Sequence, residues 1–292
     1  MNKIANNWQD YQIIDAGDKE KLERWNQIIL RRPDPQAVWP KDETNPLWKN
    51  NDAHYHRSNK GGGYWDSKKK LPEFWTVTYK NLTFKVSPTG FKHTGLFPEQ
   101  ATNWDWMMEA IQQANRPIKV LNLFAYTGGA TMACSSAGAS EVVHVDASKG
   151  MINWAKENMK LSNLENNKIR FIVDDCLKFV EREKRRGNTY HAIIMDPPSY
   201  GRGPNNELWK LEDQIMKLIL KCMDILDDQP LFFLINAYTT GFSSTVLANI
   251  LKKTMLVKHP NGQVETGEVG LPIQNDDMIL PCGIYGKWTL ND

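Results

Sequence analysis

From about residue 97 onward the chain falls into a repeating pattern that leaves few architectures open. Short apolar runs at 118–124, 141–146, 168–173, 191–196 and 231–236 alternate with helical stretches near 129–137, 149–160, 176–186 and 206–227. The runs are nearly continuous in apolar character. They therefore suit strands buried on both faces, as in a parallel sheet covered by helices. A helix is expected to open near Pro98, with proline at an early helical position, and to run to about Ala114. Beyond a helical stretch at 247–253, the strand-like segments 263–270 and 282–290 follow with no helix between them, so they must pair antiparallel. The expected fold is α/β: a Rossmann-like, doubly wound, mostly parallel seven-stranded sheet with an antiparallel C-terminal hairpin.

Residues 1–87 read differently, as a small β-rich module preceding a domain at 88–292. Prolines at 33, 35, 40, 46 and 72 break the pattern. Strand-like pieces lie at 11–14, 28–31, 75–79 and 82–86, the last two flanking Lys80-Asn81 as a hairpin would. A short helix is expected over 18–26. Several of the chain's 11 tryptophans fall in this part. They suit an irregular small core better than a binding surface. Gly61-Gly62-Gly63-Tyr64-Trp65 reads as a loop or a lid over the site. His54-Tyr55-His56 lacks a matching ligand set, so no metal is expected. No internal repeat or low-complexity segment is present.

A net charge of +2 excludes a histone-like or tail-like binder but permits a local basic face. No apolar run is long enough to span a membrane. The N-terminal residues have no apolar stretch of the secretory kind. Cys134, Cys176, Cys222 and Cys282 are far apart, with no CxxC pair, which suits a reducing cytoplasm. Arg31-Arg32, Lys68-Lys69-Lys70 and the basic residues of 182–186 could meet RNA phosphates. The last group is better explained as compensation of a helix C-terminus.

In an open α/β sheet, ligands bind beyond the carboxyl ends of the strands. The first βα turn is Phe124-Ala125-Tyr126-Thr127-Gly128-Gly129. Its glycines let the backbone approach a ligand, but its spacing is neither GxGxxG nor a P-loop. Asp146 ends the second strand, where an acid takes both hydroxyls of a ribose, or else caps a helix. Asp174 and Asp175 end the third and can accept from an adenine amine. A nucleoside without a phosphate cradle points to S-adenosylmethionine. The fourth strand runs into Asp196-Pro197-Pro198-Ser199-Tyr200. Two prolines stop the strand and stiffen its tip. A carboxylate and a fixed carbonyl there can accept both hydrogens of an exocyclic amine and localise its lone pair, while Tyr200 stacks on a base.

Together these residues resemble a class I S-adenosylmethionine-dependent methyltransferase, and in particular the large-subunit ribosomal RNA methyltransferase K/I-type group. The likeness covers about residues 74 to 292. It rests on Gly95-Leu96-Phe97-Pro98-Glu99-Gln100, the turn from Phe124 to Gly129, and the loop from Asp196 to Tyr200. Gly201-Arg202-Gly203-Pro204, Leu208-Trp209-Lys210-Leu211 and Leu280-Pro281-Cys282-Gly283 resemble one branch of that group. The resemblance implies that Glu99 and Gln100 sit near the methionyl end of the cofactor, and that Phe124, Ala125, Tyr126, Thr127, Gly128 and Gly129 pass along it. It implies that Asp146, with Ala147 beside it, holds the ribose, and that Asp175 with the Cys176 backbone holds the adenine. Asp196, bordering both ligands, would face the acceptor with Pro197, Pro198 and Tyr200.

The chain departs from the group in three ways. The first 73 residues show no RNA-binding domain of the PUA type, Ala101 stands where some members have Arg, and the stretch 234–240 lacks the cysteine of 5-methylcytosine enzymes. Carbon methylation needs such a nucleophile. The expected activity is therefore methyl transfer to a base nitrogen of RNA, most simply ribosomal RNA, in the cytoplasm. A protein amide or small-molecule acceptor, or a non-catalytic RNA or assembly factor that binds the cofactor, are the alternatives.

Overall fold

The computed structural model describes residues 2–58, 62–202, 208–239, 241–274 and 276–290. Two compact units emerge. One comprises Ile4–Ala101 and Gly270–Cys282. The other comprises Met1–Lys3, Thr102–Val269 and Gly283–Asp292.

A short strand, β1 (Lys3–Ile4), precedes the N-terminal unit's strands β2 (Tyr11–Gly17), β3 (Glu20–Trp25), β4 (Ile28–Pro33), β5 (Ala53–Arg57), β6 (Gly63–Ser67), β7 (Trp75–Tyr79) and β8 (Leu82–Val86). Strands β2 to β6 form one sheet in sequential order, and β7 pairs with β8. The expected helix at 18–26 is instead β3. Asp18 and Lys19 both take the left-handed conformation (φ 50° and 65°), and Gly17 pairs with Glu20, so the chain reverses in a two-residue hairpin. Residues 53–57 and 63–67, where no strand is expected, also pair as strands. Of the Gly61-Gly62-Gly63 run, Gly61 lies outside the described residues, and Gly63 opens β6.

The tryptophans of this unit do serve its core. Trp25 is fully buried, and four indole N–H groups donate within the fold: Trp8 to the Pro98 carbonyl (2.8 Å), Trp39 to the Ala16 carbonyl (2.6 Å), Trp48 to Asp15 Oδ2 (2.6 Å) and Trp65 to the Thr89 carbonyl (2.9 Å). Glu23 is fully buried as well. It receives Arg32 through Nε (2.6 Å) and Nη2 (2.8 Å) and the Tyr11 hydroxyl (2.6 Å). Burial pushes the Glu23 carboxyl up. The charges of Arg32 and Lys21 and the two hydrogen-bonding partners outweigh it and hold the group at about 2.

The larger unit is built on α1 (Ala101–Gln113), β9 (Lys119–Leu123), α2 (Gly129–Ser136), β10 (Glu141–Asp146), α3 (Lys149–Leu161), β11 (Ile169–Val173), α4 (Cys176–Arg185) and β12 (Ala192–Met195). It continues through β13 (Tyr200–Arg202), β14 (Leu208–Lys210), α5 (Leu211–Met223), β15 (Phe232–Ala237), α6 (Ser244–Lys253), α7 (Met255–Lys258), β16 (Gly262–Pro272) and β17 (Ile279–Leu290). The sheet order is β1-β16-β17-β15-β12-β9-β10-β11. Strands β11, β10, β9, β12 and β15 run parallel, and β17 lies antiparallel to β15. This is the doubly wound α/β sheet that the periodicity implies, with the two-residue β1 as an added edge strand. The helix expected at 206–227 begins at Leu211, because the residues before it pair as β14 against β13.

Register sets the site. Leu123 lies opposite Val145 and Met195, and Met195 opposite Ile235, so the carboxyl ends of four strands come level. Strand order reverses between β9 and β12. The residues that follow those strands face the crevice where such sheets bind ligands.

Candidate active site

The turn after β9 is bent by alternate residues in the left-handed region: Phe124 (φ 53°), Tyr126 (φ 51°) and Gly128 (φ 88°). Two of the three are not glycine, so the turn is held by contacts rather than permitted by composition. The Ala125 N–H donates to the Val145 carbonyl (3.0 Å) and the Gly128 N–H to the Ala125 carbonyl (2.9 Å). From below, the buried Asn158 amide donates to the Thr127 carbonyl (2.9 Å). Gly129 admits no side chain, since a Cβ there would lie 2.6 Å from the Trp104 ring. Beneath the turn the Asn122 amide donates to the Thr131 hydroxyl (3.0 Å), which also meets His144 Nδ1 (2.9 Å). Burial pushes the His144 imidazole down to about 3, so the ring is neutral near neutral pH.

Asp146 is joined to this turn directly. Its Oδ2 accepts the Tyr126 N–H (2.9 Å) and its Oδ1 the Ser148 N–H (2.8 Å). Burial pushes its carboxyl up and these two N–H groups act the other way. It is not a helix cap. Ser148 caps α3, its hydroxyl accepting the Met151 N–H. Ala147 follows it, half-buried. At the third strand end, Asp175 caps α4 by accepting the Lys178 N–H (2.9 Å), and Asp174 pairs with Arg182. Cys176 points back toward the turn, its sulfur accepting the Phe124 N–H (3.4 Å). An open hollow bordered by Asp175, Lys178, Leu208 and Trp209 lies alongside.

After β12 the Asp196 N–H reaches the Leu123 carbonyl (3.4 Å). Pro197 is buried, while Pro198, Ser199 and Tyr200 are exposed, the tyrosine at 56%. The loop is pinned from three sides. The Trp209 indole donates to the Pro198 carbonyl (2.7 Å), the Leu211 N–H to the Ser199 carbonyl (3.1 Å), and the Ser199 and Thr239 hydroxyls meet at 2.6 Å. The Trp209 ring also packs at 4.9 Å from Phe124, linking this loop to the first turn. Trp209 was legible in the sequence only as part of a string. Nothing in that string showed which carbonyl it would hold.

The structure thus brings Phe124 to Gly129, Asp146, Ala147, Asp175, Cys176 and the residues from Asp196 to Tyr200 to one edge of one sheet. Glu99 and Gln100 belong to the N-terminal unit, where both are buried in the 3₁₀ turn Pro98–Gln100. At the end of β15, Asn236 accepts from the buried Asn103 amide (3.0 Å), and no cysteine stands there. The four cysteines are all unpaired. Among the described residues no cluster of histidine, cysteine, aspartate or glutamate could hold a metal, and no helix is long and apolar enough to cross a membrane.

Three of the four basic residues of 182–186 form ion pairs: Arg182 with Asp174, Lys184 with Asp224 (2.9 Å) and Arg186 with Glu183 (3.1 Å).

This fold and donor set define a nucleoside-binding α/β domain. A carboxylate already oriented by two backbone N–H groups suits vicinal hydroxyls, and no glycine cradle suits a pyrophosphate. A family model described as S-adenosylmethionine-dependent methyltransferase matches residues 43–226. The chain belongs to that family, and S-adenosylmethionine is its cofactor. A solved S-adenosylmethionine-dependent methyltransferase from Agrobacterium tumefaciens is similar along the whole chain, with 36% identity and a TM-score of 0.93, covering 100% of this chain and 94% of that one. Two curated relatives are ribosomal RNA large subunit methyltransferases K/L. The one from Syntrophotalea carbinolica is 32% identical over 151 residues, which is 52% of this chain and 20% of its own. The one from Shewanella frigidimarina is 36% identical over 124 residues, 42% of this chain and 17% of its own. The chain therefore spans about a fifth of the length of these relatives.

Proposed function

We propose that the chain methylates a nitrogen of an RNA base, with ribosomal RNA as the substrate. The pinned loop Asp196-Pro197-Pro198-Ser199-Tyr200 carries this reading. Trp209 takes the Pro198 carbonyl, so the carbonyl offered to a substrate is that of Pro197. Asp196 and this carbonyl accept the two hydrogens of an exocyclic amine and localise its lone pair. Tyr200, exposed and fixed at the start of β13, stacks on the base. As the nitrogen gains a methyl it loses one proton, and Asp196 is the base placed to receive it.

Asp146 holds the ribose hydroxyls, the turn from Phe124 to Gly129 lies along the cofactor, and Asp175 with the Cys176 N–H meets the adenine. Glu99 and Gln100 serve the methionyl end. The cofactor, when bound, supplies a methyl on a positively charged sulfur, so the protein's work is mainly positioning. The absence of a cysteine at the end of β15 supports nitrogen over carbon as the acceptor. The K/L relatives are themselves named as methyltransferases of ribosomal RNA, which supports an RNA acceptor. Such an acceptor and four unpaired cysteines support a cytoplasmic location.

The test is transfer of a labelled methyl from S-adenosylmethionine to deproteinised RNA, ribosomal subunits, a protein extract and a small-molecule pool, all from cells lacking the gene. Label in RNA, with an N-methyl nucleoside by mass spectrometry, is the expected result. Label confined to protein or small molecules overturns the acceptor. Cofactor binding with no transfer to any fraction overturns the enzymatic reading.

A further inference from the structure

The N-terminal unit gathers Lys21, Arg32, Arg57 and Lys92 into one group. Arg32 is matched by Glu23, and Lys21 by Asp34 (3.2 Å). Lys92 and Arg57 lie in the same group, and among the described residues no carboxylate pairs with either. Burial pushes the Lys92 ammonium down, and the charges of Lys21, Arg32 and Arg57 act with it while Asp34 acts the other way. Burial and the same cations, with Lys92, hold the His93 imidazole at about 4. A site of this kind is relieved by an anion from outside.

Geometry gives the group a defined shape. Residues 87–94 form a closed loop. The Ser87 N–H donates to the Thr94 carbonyl (3.0 Å), and the Thr89 hydroxyl bridges the carbonyls of Phe91 (3.0 Å) and His93 (2.8 Å). The loop is fastened to the β5–β6 hairpin by Trp65 Nε1 on the Thr89 carbonyl (2.9 Å) and the Tyr55 hydroxyl on the Gly90 carbonyl (3.4 Å). The tethering does not bury its tip. Phe91 is 65% exposed, and Arg57, at the end of β5, is exposed too. An exposed aromatic ring on a tethered loop, next in sequence to the half-buried Lys92 and in a unit that also exposes Arg57, joins the two chemistries that single-stranded RNA presents: flat bases and phosphates.

We infer that Phe91, Lys92 and Arg57 form a contact surface for single-stranded RNA, with Phe91 stacking on a base and the two cations meeting backbone phosphates. The choice of ligand rests on the RNA-acceptor reading above and gives the N-terminal unit its part in positioning substrate.

The test is binding of a fluorescein-labelled single-stranded RNA oligonucleotide to the full chain across a potassium chloride series, with methyl transfer to RNA measured alongside. Phe91→Ala should raise Kd about five-fold or more, and Phe91→Tyr should restore it. Arg57→Gln with Lys92→Gln should weaken binding and reduce the salt slope by about 1.4, roughly 0.7 for each phosphate contact on a single strand. The KM for RNA should rise in each case. Lys252→Gln with Lys253→Gln removes the same charge from the last turn of α6 and should leave the slope unchanged. Thermal melts confirm that each variant folds. RNA methylation by the wild type, with Kd and slope unmoved in the Phe91, Arg57 and Lys92 variants, overturns the surface and leaves the acceptor standing. An equal loss in the α6 control also overturns it. A wild type that neither binds nor methylates RNA overturns both. RNA bound through these residues while only protein is methylated keeps the surface and overturns the acceptor.

Discussion

The proposed function gives two aspartates separate roles, and their surroundings differ accordingly. Asp146 is already engaged by the N–H groups of Tyr126 and Ser148, so it is oriented before any ligand arrives. Asp146→Ala should weaken S-adenosylhomocysteine binding about ten- to a hundred-fold by calorimetry, the scale of a lost charged hydrogen bond. Asp196→Ala should lower transfer by roughly 10²–10⁴-fold while cofactor binding is retained. Full activity in that variant would remove Asp196 from the mechanism.

Glu23 offers a test of stability. Its carboxyl sits at about 2 in the fold against an ordinary value of 4.5. A depressed carboxylate stabilises the fold above its unfolded value, and that contribution is lost as pH falls from about 4.5 through about 2. Glu20 behaves alike. Burial raises it, and His54 and Arg31 bring it down to about 2. Glu23→Gln should cost about 3–5 kcal/mol in urea unfolding, because it leaves the Arg32 charge buried without its partner. It should also flatten the acid limb of the stability curve.

At the scale of elements, the sequence was most legible where period and composition agree. β7, β8 and β10 fall where the pattern puts them, because β7 and β8 alternate apolar and polar residues about Lys80-Asn81 and β10 is a nearly continuous buried run. β3 was missed because its hairpin turns on Asp18-Lys19, without the glycine that usually marks such a turn. β5 and β6 were missed because His54-Tyr55-His56 and a glycine run read as loop composition, though pairing makes them strands.

The site divides in the same way. The turn, Asp146 and Asp196 were legible because each stands at the end of a strong strand. The grip of Trp209 on Pro198 was not, because a contact across 11 residues depends on the hairpin between them. Trp209→Phe keeps most of the ring and removes the indole N–H. It should lower kcat several-fold with little change in cofactor Kd. A matching loss of cofactor binding would mean that Trp209 holds the first turn through Phe124 rather than the loop.

At the scale of the molecule, the chain is not two successive pieces. The segment Gly270–Cys282 belongs with Ile4–Ala101. It supplies the Gly270 carbonyl that accepts the Ala5 N–H (3.0 Å), the bridge between Ile273 and Ile13, the Gln274 N–H on the Ile13 carbonyl (2.9 Å), and the Cys282 carbonyl that accepts from Gln36 (3.4 Å). A fragment of residues 1–101 should therefore lack a sharp thermal transition by circular dichroism. Covalent addition of residues 270–282 through a flexible linker should sharpen it. An unaided, cooperative melt of the shorter fragment would show these contacts to be dispensable.

That interleaving also bears on how the protein is made. Synthesis runs from N- to C-terminus, so residues 4–101 leave the ribosome long before the segment 270–282 that completes their unit. The Rossmann-like domain is translated in the interval. The unit that is begun before the Rossmann-like domain is thus completed only after most of that domain has been made.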